Sequence, residues 1–397
     1  MATYQFGTAE FVEIATGAAI LASGGGGSYY DAMDIIQELS GQWTGTVTVQ
    51  DYDGATNCCV IAMMGSPDAA TALSLTDMNN SIINTVMAYG NTFQMPMYPL
   101  GCLIPVETGP INSIVPLIAA ALFESTVWVV DGDGAGRAVP ELPQTTYGGS
   151  ARLPVKPAIL ANDATPASSN VESATLNAAT SSRIETLAGG IVSAFGSFSA
   201  IALWPSNESN GYALNNSYLP GTLSQARTLG QYLLTNPNSA TADVANQIAR
   251  ITGRAATPIV TNFYITAITQ STTSASLDAG VIRLDNNIDL SQSTETHYIY
   301  NLNENLIMYS SLSSTPDIIA PDAICYYSES TGLGFSNASN DLAVYFDAAT
   351  GKSTGQTVSV IKVNAAPQLY QASGVVSSFA GLLRNLGYAG AMPYPQT

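Results

Sequence analysis

The order of its apolar runs constrains this chain more than any other feature. From residue 8 to about 150, segments of helical period alternate with short continuous apolar runs, the pattern of a layered sheet with helices on its faces. From about 256 to 365 the runs become short, alternating and rich in β-branched and aromatic residues: "IVTNFYITAI", "GVIRL", "THYIYNL", "DAICYY", "LAVYF" and "VSVIKV". Turn signals separate them, which predicts a barrel or sandwich. The expected fold class is α/β, a layered α/β N-terminal domain joined to a β-rich C-terminal domain. The expected boundaries are 1–165 for the first domain, 166–255 for a helical connecting region, 256–365 for the β-rich domain, and 366–397 for a segment packing back on the first domain.

Within the first half, Thr8 can cap a helix that sets Phe11, Ile14, Ala15 and Ala18 on one face and ends at "SGGGG". "CCVIAMMGSP" reads as a buried strand stopped by Gly65 and Pro67, and "TDMNNSIINTVMAYG" as an amphipathic helix. "MPMYPLGCLIPVETG", "INSIVPLIAAALF" and "STVWVVDGDG" then supply strand and loop, buried helix, and strand. In sheets of this kind ligands bind where loops leave the carboxyl ends of the strands. Later, "GTLSQARTLGQYLL" reads as a helix capped by Thr222 or Ser224.

Charge decides which partners suit the chain. Only 10% of residues are Asp, Glu, Lys or Arg, against roughly 25% in soluble domains. The net charge of −18 with no basic cluster opposes a phosphate backbone, so nucleic acid is excluded as a partner. No apolar segment reads as a membrane span, because Pro116, Glu124, Ser125 and Thr126 interrupt the longest one. Sparse surface charge weakens repulsion between copies and points to a homo-oligomer. "MATYQFGTAEF" lacks a signal peptide's basic start, which argues for the cytoplasm, while the hydroxyl-rich composition suits a secreted protein. Four sequons, at Asn79, Asn207, Asn215 and Asn337, belong to that second setting. Cys58, Cys59, Cys102 and Cys325 form no C-x-x-C pair and read as small core residues.

Three loops carry chemistry. Gly24, Gly25, Gly26 and Gly27 follow a helix, not a strand, so they do not make a dinucleotide fingerprint, yet such a run lets backbone approach a ligand closely. In "DGDGAGR", Asp131 and Asp133 follow a buried strand with their side chains on one side. Such a pair can orient water, shift one another's pKa or hold a divalent metal, and Arg137 can clamp an anionic group. An Asx-type turn with a structural Asp–Arg pair is the plainer reading of the same residues. "PVETGPINS" adds Glu107 and Asn112 at the end of another strand, facing the same rim if the strands are neighbours. The lone histidine, His297, sits in a strand with no H-x-x-x-H partner and reads as a surface imidazole, which disfavours a His-based zinc site or a Ser-His-Asp triad.

"GAAILASGGGGSYYDA", "MMGSP", "ETGPINSIVPLIAAALF" and "VVDGDGAGRAVPELPQTT" occur in that order and resemble the N-terminal half of the S-methyl thiohydantoin desulfurase family, which is associated with hydantoinase and oxoprolinase proteins. The likeness continues through "GTLSQARTLG", "NLNENLIMY", "TPDIIAPDAICYYSESTG", "VSVIKVNAAPQLY" and "NLGYAGAMPY". The resemblance implies two domains and hydrolysis of a small five-membered cyclic amide or thiohydantoin. Its matching positions are Gly24 to Gly27, Gly65, Pro67, Glu107, Gly109, Asn112, Asp131, Asp133, Gly136, Arg137, Pro140, Glu141, Asn303, Glu304 and Asn305. Two departures stand out, Pro110 in place of a glycine and "SASLDAG" in place of a glycine-rich stretch.

The leading expectation is a hydrolase acting on a C–N or C–S bond of a small cyclic substrate between the domains. Glu107, Asp131 or Asp133 activates water, Arg137 positions the substrate, and backbone N–H groups of the glycine loop meet developing negative charge. Gly24 to Gly27, Asn112, Glu141, Asn303, Glu304 and Asn305 bind the substrate, and a metal on Asp131 and Asp133 stays open. The competing expectation is a catalytically inactive homologue serving as a secreted binding or self-assembling protein, in filaments or oligomers.

Overall fold

A computed structural model describes residues 2–65, 74–93, 99–123, 126–274 and 277–396. Pro67, Glu124, Ser125, and Ala275 and Ser276 of the "SASLDAG" stretch therefore lie outside the described residues.

The first half builds a mixed sheet from β1 (Thr3–Phe6), β2 (Val47–Gln50), β3 (Cys58–Gly65), β4 (Cys102–Pro105) and β5 (Trp128–Val130). A two-residue β6 (Gly132–Asp133) follows, and β7 (Ala158–Ala161), β8 (Ser173–Leu176) and β9 (Phe198–Ser206) complete the sheet in the order β1-β2-β5-β4-β3-β9-β7-β8. Strands β2, β5, β4 and β3 run parallel, and the others pair antiparallel. Parallel strands need cover on both faces. Helices α1 (Thr8–Leu21), α2 (Tyr29–Ser40), α3 (Leu75–Thr92) and α4 (Val115–Leu122) cover one face through Ile14, Ile35, Ile82 and Ile118. On the other face α5 (Ser181–Ala194) packs Ile184, Ala188 and Val192 beside Tyr147 and Trp204.

The segment 166–255 is more than the helical connection expected for it, since β8 and β9 belong to the first sheet. The helical reading of "SSRIETLAGGIVSAFGSF" overran the true end of α5, where Gly196 and Ser197 take positive φ and turn the chain into β9. After β10 (Leu219–Pro220), which pairs with β6, come α6 (Thr222–Thr235) and α7 (Thr241–Thr252). The residue before α6 is Gly221, and Oδ1 of Asp131 accepts the Ser224 N–H at 3.1 Å. Its cap is a distant carboxylate, not Thr222 or Ser224.

The second half forms a seven-stranded antiparallel sheet from β11 (Ala256–Ser274), β12 (Leu277–Asp285), β13 (Thr296–Leu302), β14 (Glu304–Ser310), β15 (Ile318–Ile319), β16 (Ala323–Tyr327) and, at the far end of the chain, β19 (Thr357–Val363). The order β15-β14-β13-β12-β11-β19-β16 brings β16 back against β14 and β15, so the sheet is nearly closed into a barrel. "LAVYF" is not one of its strands. The short α8 (Ser339–Leu342) ends on the first residue of that run, held in place by the Asp341 carboxylate, which accepts from the backbone N–H of Ser336 and Tyr29 and from the Ser28 hydroxyl, and the last residue of the run opens a small hairpin of β17 (Phe346–Asp347) and β18 (Lys352–Ser353). His297 is buried, not a surface imidazole, with Nδ1 3.2 Å from Asp317 and Nε2 2.9 Å from Glu295. All four cysteines are free and buried.

Helix α1 joins the two sheets: it shares one apolar cluster with the first sheet, α6 and α7, and with Ala323, Cys325, Ile361 and Val363 of the barrel. Last come α9 (Pro367–Gln371) and α10 (Val375–Asn385); Phe379, Leu382 and Leu383 fill a cluster with Ala135 and Val139 of the first half and Leu306 and Ile307 of the second. Among the described residues no helix is long and apolar enough to cross a membrane.

Where α1 crosses α6 there is no room for a side chain: a Cβ on Gly17 would strike the Ala226 carbonyl, and one on Gly230 the Glu13 carbonyl. Both obstacles are backbone and cannot swing away. Gly230→Ala should therefore force the helices apart and cost on the order of 1–3 kcal/mol, read as a lower midpoint in thermal or urea unfolding.

Candidate functional site

Three loops converge at the carboxyl ends of β3 and β4. The first, 22–27, leaves α1; the second, 106–112, leaves β4; the third is the hairpin between β13 and β14, where Asn303 takes φ +56° and Glu304 begins the next strand. They meet closely at the glycines. A Cβ on Gly25 would occupy the place of the Glu304 carboxylate, and one on Gly26 would strike the Cα of Gly109. The Gly26 carbonyl accepts from the N–H groups of Ile111 and Asn112 at 3.0 and 3.2 Å, so the turn holding Pro110 closes without a donor there.

Beside this junction is a cavity of about 120 Å³. Its walls are apolar on one side, with Met63, Met64, Phe198 and Ile201, where the β3–β9 register sets Gly65 opposite Phe198. Its other lining includes four carboxyl groups, Glu107, Glu141, Glu185 and Glu304, together with Asn112 and Asn303.

Glu107 is 5% exposed; its Oε1 accepts from Asn112 Nδ2 at 2.8 Å and its Oε2 from the Val139 N–H at 2.7 Å. Burial first, and then the nearby Glu304, push its pKa well above the ordinary carboxyl range. Glu304 is 4% exposed, and its Oε2 has no hydrogen-bond partner. Burial raises its pKa to about 7 despite the opposing charge of Arg137 and the backbone N–H groups of Glu304 itself and Gly26. The pair therefore holds a proton that two exposed glutamates would have lost. Loss of hydration also raises Glu185, on α5, to about 7, and raises Glu141. Oε2 of Glu185 accepts the Leu142 N–H at 3.0 Å.

Gly26, Gly27, Glu107, Asn112, Glu141, Asn303 and Glu304 line the cavity; Gly24, Gly25 and Asn305 stand behind it. Asn305 receives hydrogen bonds from Tyr326 Oη and Asn337 Nδ2 and donates to the Ile324 carbonyl, which fixes the base of the hairpin. The other acids in the "DGDGAGR" loop are elsewhere. Asp133 accepts from Thr108 Oγ1 at 2.5 Å and from the N–H groups of Ala135 and Gly136 at 2.7 and 2.6 Å, the Asx-type turn of the plainer reading. Asp131 is committed to α6. Their oxygens are taken up by separate donors, so they offer a metal no shared site, and no group of three or more His, Cys, Asp or Glu suited to a metal occurs among the described residues.

Arg137 does not face the cavity. It is 1% exposed, stacked 5.5 Å from the Phe379 ring centroid, and donates to the carbonyls of Ala138 (2.8 Å), Pro321 (3.2 Å), Asp322 (2.8 Å) and Asn305 (2.9 Å). Burial lowers its pKa to about 10, so it stays charged at neutral pH and acts on Glu304 through its field. It ties the first half of the chain to the second. Glu185 and the apolar wall were missed from the sequence, since nothing in "SSRIETLAGG" or "FSAIAL" marks chemistry.

The class defined by this fold and site is an α/β protein with an appended near-barrel and a carboxyl-lined cavity at their junction. Family models described as the S-Me-THD-like N-terminal and C-terminal domains match residues 9–168 and 179–378. The chain belongs to the S-methyl thiohydantoin desulfurase-like family. A crystal structure of a protein from Chromobacterium violaceum is similar to it with 26% identity and a TM-score of 0.81 over 99% of each chain. A search of curated proteins gives no match.

Glu304 allows a test by linkage. Its folded pKa, about 7, exceeds the ordinary 4.5, so its contribution to stability is fully present below about pH 4.5 and is lost as pH rises through about 7. Glu304→Gln removes this dependence. Its unfolding free energy should gain on the wild type by up to on the order of 3 kcal/mol between about pH 5 and pH 8, measured by urea titration at each pH.

Proposed function

We propose that the cavity hydrolyses a small five-membered ring, with the C–S bond of an S-methylated thiohydantoin as the leading target and the C–N bond of a cyclic amide as the related one. The observation that carries this is the Glu107–Glu304 pair: two buried carboxyls with raised pKa values, one with an oxygen free of any partner, beside a cavity of single-ring size. The family's name supports the substrate class.

A pair that holds one proton supplies an acid and a base together. The ionised carboxylate takes a proton from water as the water oxygen bonds to the ring carbon bearing sulfur. The protonated partner gives its proton to the ring nitrogen, and a tetrahedral carbon results. The first carboxyl then returns its proton to sulfur as the C–S bond breaks, methanethiol leaves, and the second carboxyl recovers a proton from the hydroxyl as C=O forms. Both carboxyls end as they began. The apolar wall of Met63, Met64, Phe198 and Ile201 suits a methylthio group. Arg137, Asp131 and Asp133 are assigned to positioning, Arg137 by keeping the hairpin and its Glu304 in place.

The test is turnover of a panel of S-methyl thiohydantoins and hydantoins, with and without chelator, following methanethiol with a thiol reagent and the ring by chromatography. Glu107→Gln and Glu304→Gln should each lower kcat by about 10²–10⁴-fold, whereas Asp131→Asn should act mainly on stability. No turnover of any ring, or full activity in both glutamine variants, would overturn the proposal. The rate should rise and fall with pH around titrations that belong to the pair jointly, and Glu304→Gln should leave a single limb.

A further inference from the structure

We infer that this cavity selects by charge: it accepts neutral or cationic rings and rejects rings that carry a carboxylate. The inference rests on the reading of the cavity as a ring-binding site and narrows its substrate class.

The cavity lining includes the carboxyl groups of Glu107, Glu141, Glu185 and Glu304 and no Lys, Arg or His. This is true of the whole chain, since all 11 Lys and Arg residues and the single His lie among the described residues and none of them lines it. Arg137, the cation whose field reaches Glu304, does not line the cavity and directs four of its N–H groups to backbone carbonyls behind the site. Its single charge is opposed by four carboxyls. The uncharged polar side chains of the lining are engaged within the protein: Asn112 Nδ2 donates to Glu107, Asn303 Oδ1 accepts the Asp278 N–H, and the Thr145 hydroxyl donates to the Leu142 carbonyl.

Desolvating a carboxylate without a cationic or multiple N–H partner is costly, and like charges at close range add to that cost. The raised pKa values of Glu107, Glu185 and Glu304 already register this strain, so a ligand carboxylate would enter only by carrying in another proton. A protonated amidine-type ring meets the opposite situation, because the unpartnered Oε2 of Glu304 gains a donor. Room of about 120 Å³ limits the occupant further; a cavity of about 150 Å³ holds a benzene-sized molecule. Five-membered rings with short neutral substituents fit both conditions, whereas ring acids of the same size fit only the second.

The experiment compares two S-methyl thiohydantoins that differ at the ring carbon between nitrogen and carbonyl, one with methyl and one with a carboxymethyl group, in binding by calorimetry and in kcat/KM. The neutral ring should be favoured by about 10²-fold or more, a factor of ten for each 1.4 kcal/mol of unpaired charge. The double variant Glu141→Gln, Glu185→Gln should shrink this ratio about tenfold, and the ratio cancels any loss of activity common to both rings. Propionamide in place of carboxymethyl restores charge neutrality at greater size, so recovery with it assigns the effect to charge and not to volume. Equal kcat/KM for both rings, or a ratio untouched by the double variant, overturns the inference while leaving the hydrolase reading standing. Selective binding of the neutral ring without turnover does the reverse. Failure of both rings to bind overturns the two together.

Discussion

Everything at the candidate site depends on a backbone contact that tolerates no side chain. Gly25 and Gly26 let the loop leaving α1 press against the Glu304 carboxylate on one side and the Cα of Gly109 on the other. A methyl on Gly26 would push the glycine loop off the acidic loop after β4, and one on Gly25 would displace the Glu304 carboxylate of the barrel hairpin. The catalytic proposal needs those two loops within reach of each other, because the charge of Glu304 raises the Glu107 pKa beyond the effect of burial, whereas Glu304 itself is raised by burial against the pull of Arg137.

Arg137 holds that contact closed. Its guanidinium replaces water for four carbonyls drawn from both halves of the chain, and Phe379 of α10 covers its flank. A lysine has one compact head and could not span them. The most distinctive motif in the sequence is thus spent on assembly: Asp131 caps α6, Asp133 builds a turn, and Arg137 joins the halves.

The structure also separates two uses of glutamate that look alike in a sequence. Glu107 follows a parallel strand, where loops gather ligands in such sheets, and was legible for that reason. Glu304 was legible only from a family likeness, and Glu185 not at all, since a helix residue declares its chemistry only through what is packed beside it. Among the apolar residues, "CCVIAMM" was read as a core strand, yet its last two methionines line the cavity because β9 pairs alongside.

By itself the sequence determined the α/β half, the β-rich half, the glycine loop and the acidic loop, because periodicity and turn chemistry are local and survive in a linear string. It erred where a local pattern was overridden from a distance: "LAVYF" turned by Asp341, His297 buried between two carboxylates, and β9 drawn into a sheet built mostly 70 residues or more earlier. Only the tertiary structure decided which acids face the cavity. Burial and mutual charge set that, and both depend on neighbours as far apart in the chain as residues 107 and 304.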